Sequence, residues 1–154
     1  MKKKIFLSVM CLLSVTLLLS GCGKKEANLT YTPTEIVEKV YAGLENDLPM
    51  LATTEIDDEN LSYYLGVESL DYKEAVASEP MIGSIAHSIV VVRMNEGADI
   101  EKAKQEIKNN VDPRKWICVE AESVFVESKG DVIILIMSSN EKAEKIKTNF
   151  NNLK

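Results

Sequence analysis

Two apolar runs constrain the fold most. In GSIAHSIVVVRM, residues 83–94, Ile85, His87, Ile89, Val91 and Arg93 share one side of an extended chain, and Ala86, Ser88, Val90, Val92 and Met94 share the other. The middle of this run is apolar on both sides, which predicts a strand in the interior of a sheet. VIILIMS, residues 132–138, is a second run of the same kind.

Turn and cap residues order the rest. Lys129-Gly130-Asp131 predicts a tight hairpin into the second run. DYKEAVASE, residues 71–79, reads as an edge strand halted by Pro80, which has no N–H for a ladder. WICVEAESVFVES, residues 116–128, reads as a strand whose alternation slips near Glu122. A bulge there reconciles the two halves, and a helical turn over residues 116–121 is the alternative.

Helices fill the intervals. Thr32, Pro33 and Glu35 form a capping box, and Ile36, Val40 and Leu44 recur on one face, so a helix is expected to run from Thr32 and fade near Asn46. A short helix from about Asp58 to Leu65 is expected to end at Gly66. Ile100, Ala103, Ile107 and Val111 define a helix capped by Asp99 and stopped by Asp112-Pro113. Ala143, Ile146, Phe150 and Leu153 define the last, with Ser138 and Glu141 as its capping box.

The fold class expected from these elements is α+β. After Asp71 they follow one another as β-β-α-β-β-α, preceded by one or two helices. Short turns predict a four-stranded, largely antiparallel sheet with the helices on one face. Residues 80–111 and 116–153 are expected to be loosely similar halves.

The front of the chain differs in kind. Met1-Lys2-Lys3-Lys4 is cationic, Ile5 to Leu19 is apolar apart from Ser8, Ser14 and Thr16, and Ser20-Gly21 is small. These are the three parts of an export signal. Leu19, Ser20, Gly21 and Cys22 resemble a lipobox, the site read by the bacterial lipoprotein signal peptidase. That resemblance implies a diacylglycerol on the Cys22 thiol and cleavage before it. Two acyl chains anchor firmly, at about 0.8 kcal/mol per buried methylene. The alternatives are an ordinary signal peptide with Cys22 incidental, or an uncleaved anchor. The expected organisation is a signal peptide at 1–21, a tether at 22–31 and one α+β domain at 32–154.

Composition narrows the function classes. The chain has 18 Lys and Arg against 24 Asp and Glu; loss of residues 1–21 removes three lysines and no acid, leaving a charge of −9. With two arginines, Arg93 and Arg114, such a domain has no basic patch for nucleic acid. Of three cysteines, Cys11 leaves with the signal and Cys22 is acylated, so Cys118 has no disulfide partner and is expected as a small buried hydrophobe.

The lipobox, the opening amphipathic helix, SIAHSIVVVRM, DPRKWICVEAESVFVESKGDVIILIMSS and the terminal helix together resemble an uncharacterised family of small lipoproteins of Gram-positive bacteria, a domain of unknown function. The resemblance covers about residues 34–152. It implies no activity, and Cys22 is the one residue whose role it carries over.

No reaction is legible in the residues themselves. There is no G-x-S-x-G elbow and no phosphate loop, and one histidine with one free cysteine makes no zinc site, so no metal and no cofactor are expected. The acids Glu55, Asp57, Asp58 and Glu59 lack the glycine and later glutamate of a calcium loop and suit a solvated helix start. His87, Arg93, Arg114 and Trp116 are the candidate contacts to a ligand or partner. The reading is a non-enzymatic, lipid-anchored domain on the outer face of the cell membrane that binds an envelope protein. A small solute-binding lipoprotein serving a transporter is the alternative, and an enzyme is a third, weaker reading.

Overall fold

The computed structural model describes residues 28–154. The signal segment, Leu19, Ser20, Gly21 and Cys22 lie outside the described residues. The elements are α1 (Pro33–Val40), β1 (Leu51–Glu55), α2 (Leu61–Leu65), β2 (Tyr72–Pro80), β3 (Ser88–Met94), α3 (Ile100–Asn110), β4 (Ser123–Lys129), β5 (Val132–Ser138) and α4 (Asn140–Asn151).

The fold is α+β around a five-stranded sheet in the order β1-β2-β3-β5-β4, every neighbouring pair antiparallel. The expected count of four strands is corrected by β1. Its sequence, LATTE, has no apolar alternation, and pairing with β2 rather than its own pattern makes it a strand. The DYKEAVASE strand is consequently an interior strand, not an edge. Pro80 sits opposite Leu51 at its very end, where a missing N–H breaks no interior ladder bond.

The helices cover both faces of the sheet, not one. Ala75, Ala77, Val90, Val92, Ile133 and Leu135 face Leu61 and Leu65 of α2 and Ala103 and Ile107 of α3. Ile89, Val91, Ile134 and Ile136 face Ile36 and Val40 of α1 and Ile146 and Phe150 of α4. The double-sided apolar character of β3 and β5 requires this, since each fully buried Ile or Val side chain contributes about 1.5–3 kcal/mol only if a layer meets it. It also removes the similar halves. β3 leads to α3 on one face and β5 to α4 on the opposite face, so no two-fold rotation relates them.

Local chemistry sets the helix ends. Thr32 accepts from the Glu35 N–H, and the Glu35 carboxylate accepts from the Thr32 N–H at 2.8 Å, closing the capping box. Asp99 accepts from the Lys102 N–H at 3.0 Å. The fourth helix departs from expectation. Ser139 is its N-cap and bonds no helix N–H, while the Asn140 N–H donates to Glu122 Oε2. Ser138 is held in the strand by another partner. Gly66 ends α2 in the left-handed region at φ +71°, against the last residue of α3: a Cβ there would stand 2.4 Å from the Asn110 carbonyl.

Three further expectations change. Residues 116–121 are neither strand nor α-helix; strand β4 begins at Ser123, which explains the slipped alternation without a bulge. In that loop Cys118 is exposed, with φ +59°. Residues 28–31, expected as the end of a free tether, are packed instead: Leu29 is buried among the α1 and α4 side chains, and Tyr31 packs beside it.

Candidate functional site

The polar side chains gather at the two opposite ends of β3, six residues and about 20 Å apart at 3.3 Å per residue. His87 precedes the strand and Arg93 is next to its last residue.

At the His87 end, the imidazole lies on the α1/α4 face, fully buried. Its Nδ1 is 2.9 Å from Ser138 Oγ and its Nε2 is 3.0 Å from the Tyr41 hydroxyl, which donates to Ser78 Oγ at 3.0 Å. Since Tyr41 donates onward, Nε2 carries the proton and Nδ1 accepts from Ser138, as suits a neutral ring. Burial, reinforced by Lys142, pushes the His87 pKa down to about 4. Burial likewise raises the Tyr41 hydroxyl above its usual range. Ser138 and His87 make the geometry of a nucleophile and base, but both are sealed from solvent and neither lines a described cleft. The chain of four groups fastens α1 to the ends of β2 and β5.

On the other face of the same end lies a lysine that the sequence alone does not single out. Lys115, its side chain 6% exposed, places Nζ 2.5 Å from Glu79 Oε1. The ammonium also sits 4.6 Å from the ring centre of Tyr63, 5.0 Å from Tyr64 and 5.5 Å from Trp116. Burial lowers the Lys115 pKa, opposed by Glu79 and Asp112. Its signal in the sequence is faint: a lysine beside a tryptophan, and a glutamate ending a strand.

Around this end runs an exposed apolar rim. The Met81 N–H donates to the Met50 carbonyl at 3.1 Å, Ile82 follows, and the Ile117 N–H donates to the Gly83 carbonyl at 2.9 Å. Met50, Met81, Ile82 and Ile117 are each between 63% and 76% exposed. Large apolar side chains clustered in water mark binding surfaces more often than isolated ones do.

At the other end, Arg93 closes the floor of a cleft of about 1010 Å³. Its Nη1 donates to Asp131 Oδ2 at 2.6 Å, its Nε is 3.3 Å from Glu74, and its Nη2 donates to the Tyr31 carbonyl. The guanidinium is thus held by three acceptors of its own chain. Lys73, Glu74, Glu96, Glu101 and Asp131 make the cleft wall predominantly acidic.

The four residues singled out from sequence do not converge. His87 and Trp116 are buried structural residues. Arg93 is occupied in ion pairs at the far end of the sheet, and Arg114 alone is exposed. His87 and Arg93 stand at opposite ends of β3, an interior strand covered on both faces, and Trp116 packs from its loop into the core on the α2/α3 face. Among the described residues, no helix is long and apolar enough to cross a membrane, and no group of three or more His, Cys, Asp or Glu could hold a metal ion.

Residues 45–138, from just before β1 to the end of β5, match the model of a domain of unknown function, DUF4358. No curated protein and no solved structure matches the chain.

Proposed function

The chain belongs to the DUF4358 family of domains of unknown function, and we propose that it is a lipid-anchored, non-enzymatic domain on the outer face of a bacterial, Gram-positive cell membrane, where it binds a protein of the envelope. Acylated Cys22 supplies the attachment to the bilayer. The observation that carries the reading is the apolar rim of Met50, Met81, Ile82 and Ile117.

Its position supports this. Tyr31, beside the first described residues, bonds Arg93 at one end of β3, whereas the rim borders the other end. Six residues lie between Cys22 and Leu29, and the seven steps from one to the other span at most about 25 Å. A short link attached at the Arg93 end favours an orientation in which the rim faces away from the bilayer, toward other proteins. Neither nucleic acid nor a metal enters this reading, and no cofactor is required.

The test is the Cys22→Ala chain, fractionated from its own cells. The variant is expected in the soluble fraction or as uncleaved precursor, without incorporated palmitate. A variant cut at residue 21 and still membrane-bound would contradict the anchor.

A small solute-binding role is the second reading, favoured by the Arg93 cleft. Asp131 Oδ1 there is buried without a hydrogen-bond partner among the described residues, and so is able to accept a donor from a polar or cationic solute.

A further inference from the structure

β1 is the edge of the sheet and its outer side is open. The Met50 carbonyl accepts from the Met81 N–H just past β2 at 3.1 Å, and the Ile56 N–H donates to the Ala75 carbonyl of β2 at 2.9 Å. By the alternation of an antiparallel ladder, Leu51, Thr53 and Glu55 turn their backbone groups outward. The Glu55 carbonyl accepts from Asn60 Nδ2 at 3.2 Å. The N–H groups of all three residues and the carbonyls of Leu51 and Thr53 pair with no other described strand.

Edge strands are ordinarily blunted by lysine, proline, a bulge or a covering segment. From Leu51 to Thr54 β1 has none of these: LATTE contains no lysine or proline, its pairing with β2 is regular, Ala52 to Thr54 are exposed, and the one charge, Glu55, with the Asn60 contact, stands at its last residue. The two ends of this edge differ chemically. Met50, Met81 and Ile82 flank the start of the strand, with Ile117 beyond them. Glu55, Asp57, Asp58 and Glu59, all exposed, stand at its finish.

We infer that the outer edge of β1 is the docking site, and that its occupant is an extended segment of another protein that adds as a sixth strand, with basic residues beside Glu55–Glu59 and apolar residues beside Met50. This deepens the partner-binding reading above and rests on it. Main-chain bonds from such an added strand supply affinity, and the side chains at its two ends supply selectivity. Methionines suit the apolar end because their unbranched thioethers conform to different shapes. A second copy of this chain is the wrong occupant. Antiparallel pairing of two β1 strands would set the acidic end of each against the apolar end of the other, and parallel pairing would set acid on acid.

The experiment is photo-crosslinking in the cells that make the full chain, with a photoreactive residue in place of Thr54 on β1 or, as control, of the exposed Lys145 on α4, a helix that packs on β4 and β5 rather than on β1. Crosslinked segments are identified by mass spectrometry. From position 54, the expected product is an extended segment of a distinct protein carrying both basic and apolar residues. Thr53→Pro removes an outward N–H without touching the β2 ladder. Loss of that bond, worth about 1.4 kcal/mol at the upper part of the usual range, should cut the yield roughly tenfold. Asp58→Lys with Glu59→Lys, whose side chains make no hydrogen bond in the fold, should also weaken capture; this pair decides the matter if the proline variant fails to accumulate.

Capture that survives both changes, capture from position 145 alone, or a crosslinked dimer of this chain would overturn the β1 assignment while leaving a protein partner in place. Capture of nothing from either position would overturn the partner-binding reading itself.

Discussion

Lys115 Nζ and Glu79 Oε1 meet 2.5 Å apart beneath Tyr63 and Tyr64, a buried ion pair that ties the 111–122 loop to the end of β2. Such pairs are asymmetric in energy. Taking both charges out of water costs nearly as much as their attraction returns, but removing one partner strands the other. Glu79→Gln is therefore expected to destabilise the fold by about 3 kcal/mol, while Glu79→Leu with Lys115→Met stays within about 1 kcal/mol of the parent. Urea unfolding of the three proteins checks this. Equal losses in the single and double variants would mean that the loop is held by packing rather than by charge.

His87 makes stability depend on pH. Its folded pKa, about 4, lies below the ordinary value of 6.5, so the unfolded chain binds the extra proton between the two. The contribution is complete above pH 6.5, falls as the pH drops toward 4, and changes no further below that. The full loss is about 3 kcal/mol, since a tenfold change in proton affinity corresponds to about 1.36 kcal/mol. Lys142 is the charged group that assists burial in this, and the other neighbours, Tyr41, Ser78 and Ser138, are neutral. Denaturant midpoints measured from pH 7.5 to pH 4 should show the decline, and His87→Gln should remove this component of it. A parent curve parallel to that of the variant would contradict a neutral, bonded His87.

Gly66 serves two needs at once, a left-handed backbone and an approach to the Asn110 carbonyl that leaves no room for a Cβ. Gly66→Ala is expected to cost about 2 kcal/mol or more, from strain plus displacement of the α3 end. Gly97, also at positive φ but with nothing within 4 Å, isolates the first component. Gly97→Ala should lose only about 1 kcal/mol in thermal or urea unfolding. Equal losses at the two glycines would mean that α2 and α3 are not packed as described.

What could be read from the chain follows from how local each signal is. Thr32-Pro33-Glu35 and Asp99 cap their helices through contacts three residues long, and both caps form. Glycine at 130, with φ +58°, closes a two-residue hairpin between Lys129 and Val132. β1 was illegible because its Thr-Thr centre becomes a strand only through β2. The second helical layer was missed although β3 and β5 announced it: apolar side chains on both faces of a strand demand cover on both faces. The candidate residues fared worse. A histidine, an arginine and a tryptophan look alike in sequence whether they are solvated or interior, and here burial turned two of them into structural members. The exposed rim was hidden for the opposite reason, since Met50, Met81, Ile82 and Ile117 carry the residue types of a core.

Everything proposed for the chain's place in the cell turns on position 22. The direct measurement is the intact mass, with N-terminal fragmentation, of the protein extracted from the membranes of the cells that make it. The expected species begins at Cys22, lacks residues 1–21 and carries a diacylglycerol in thioether linkage. A chain that retains Met1 or its neighbours and bears an unmodified thiol at Cys22 would contradict it.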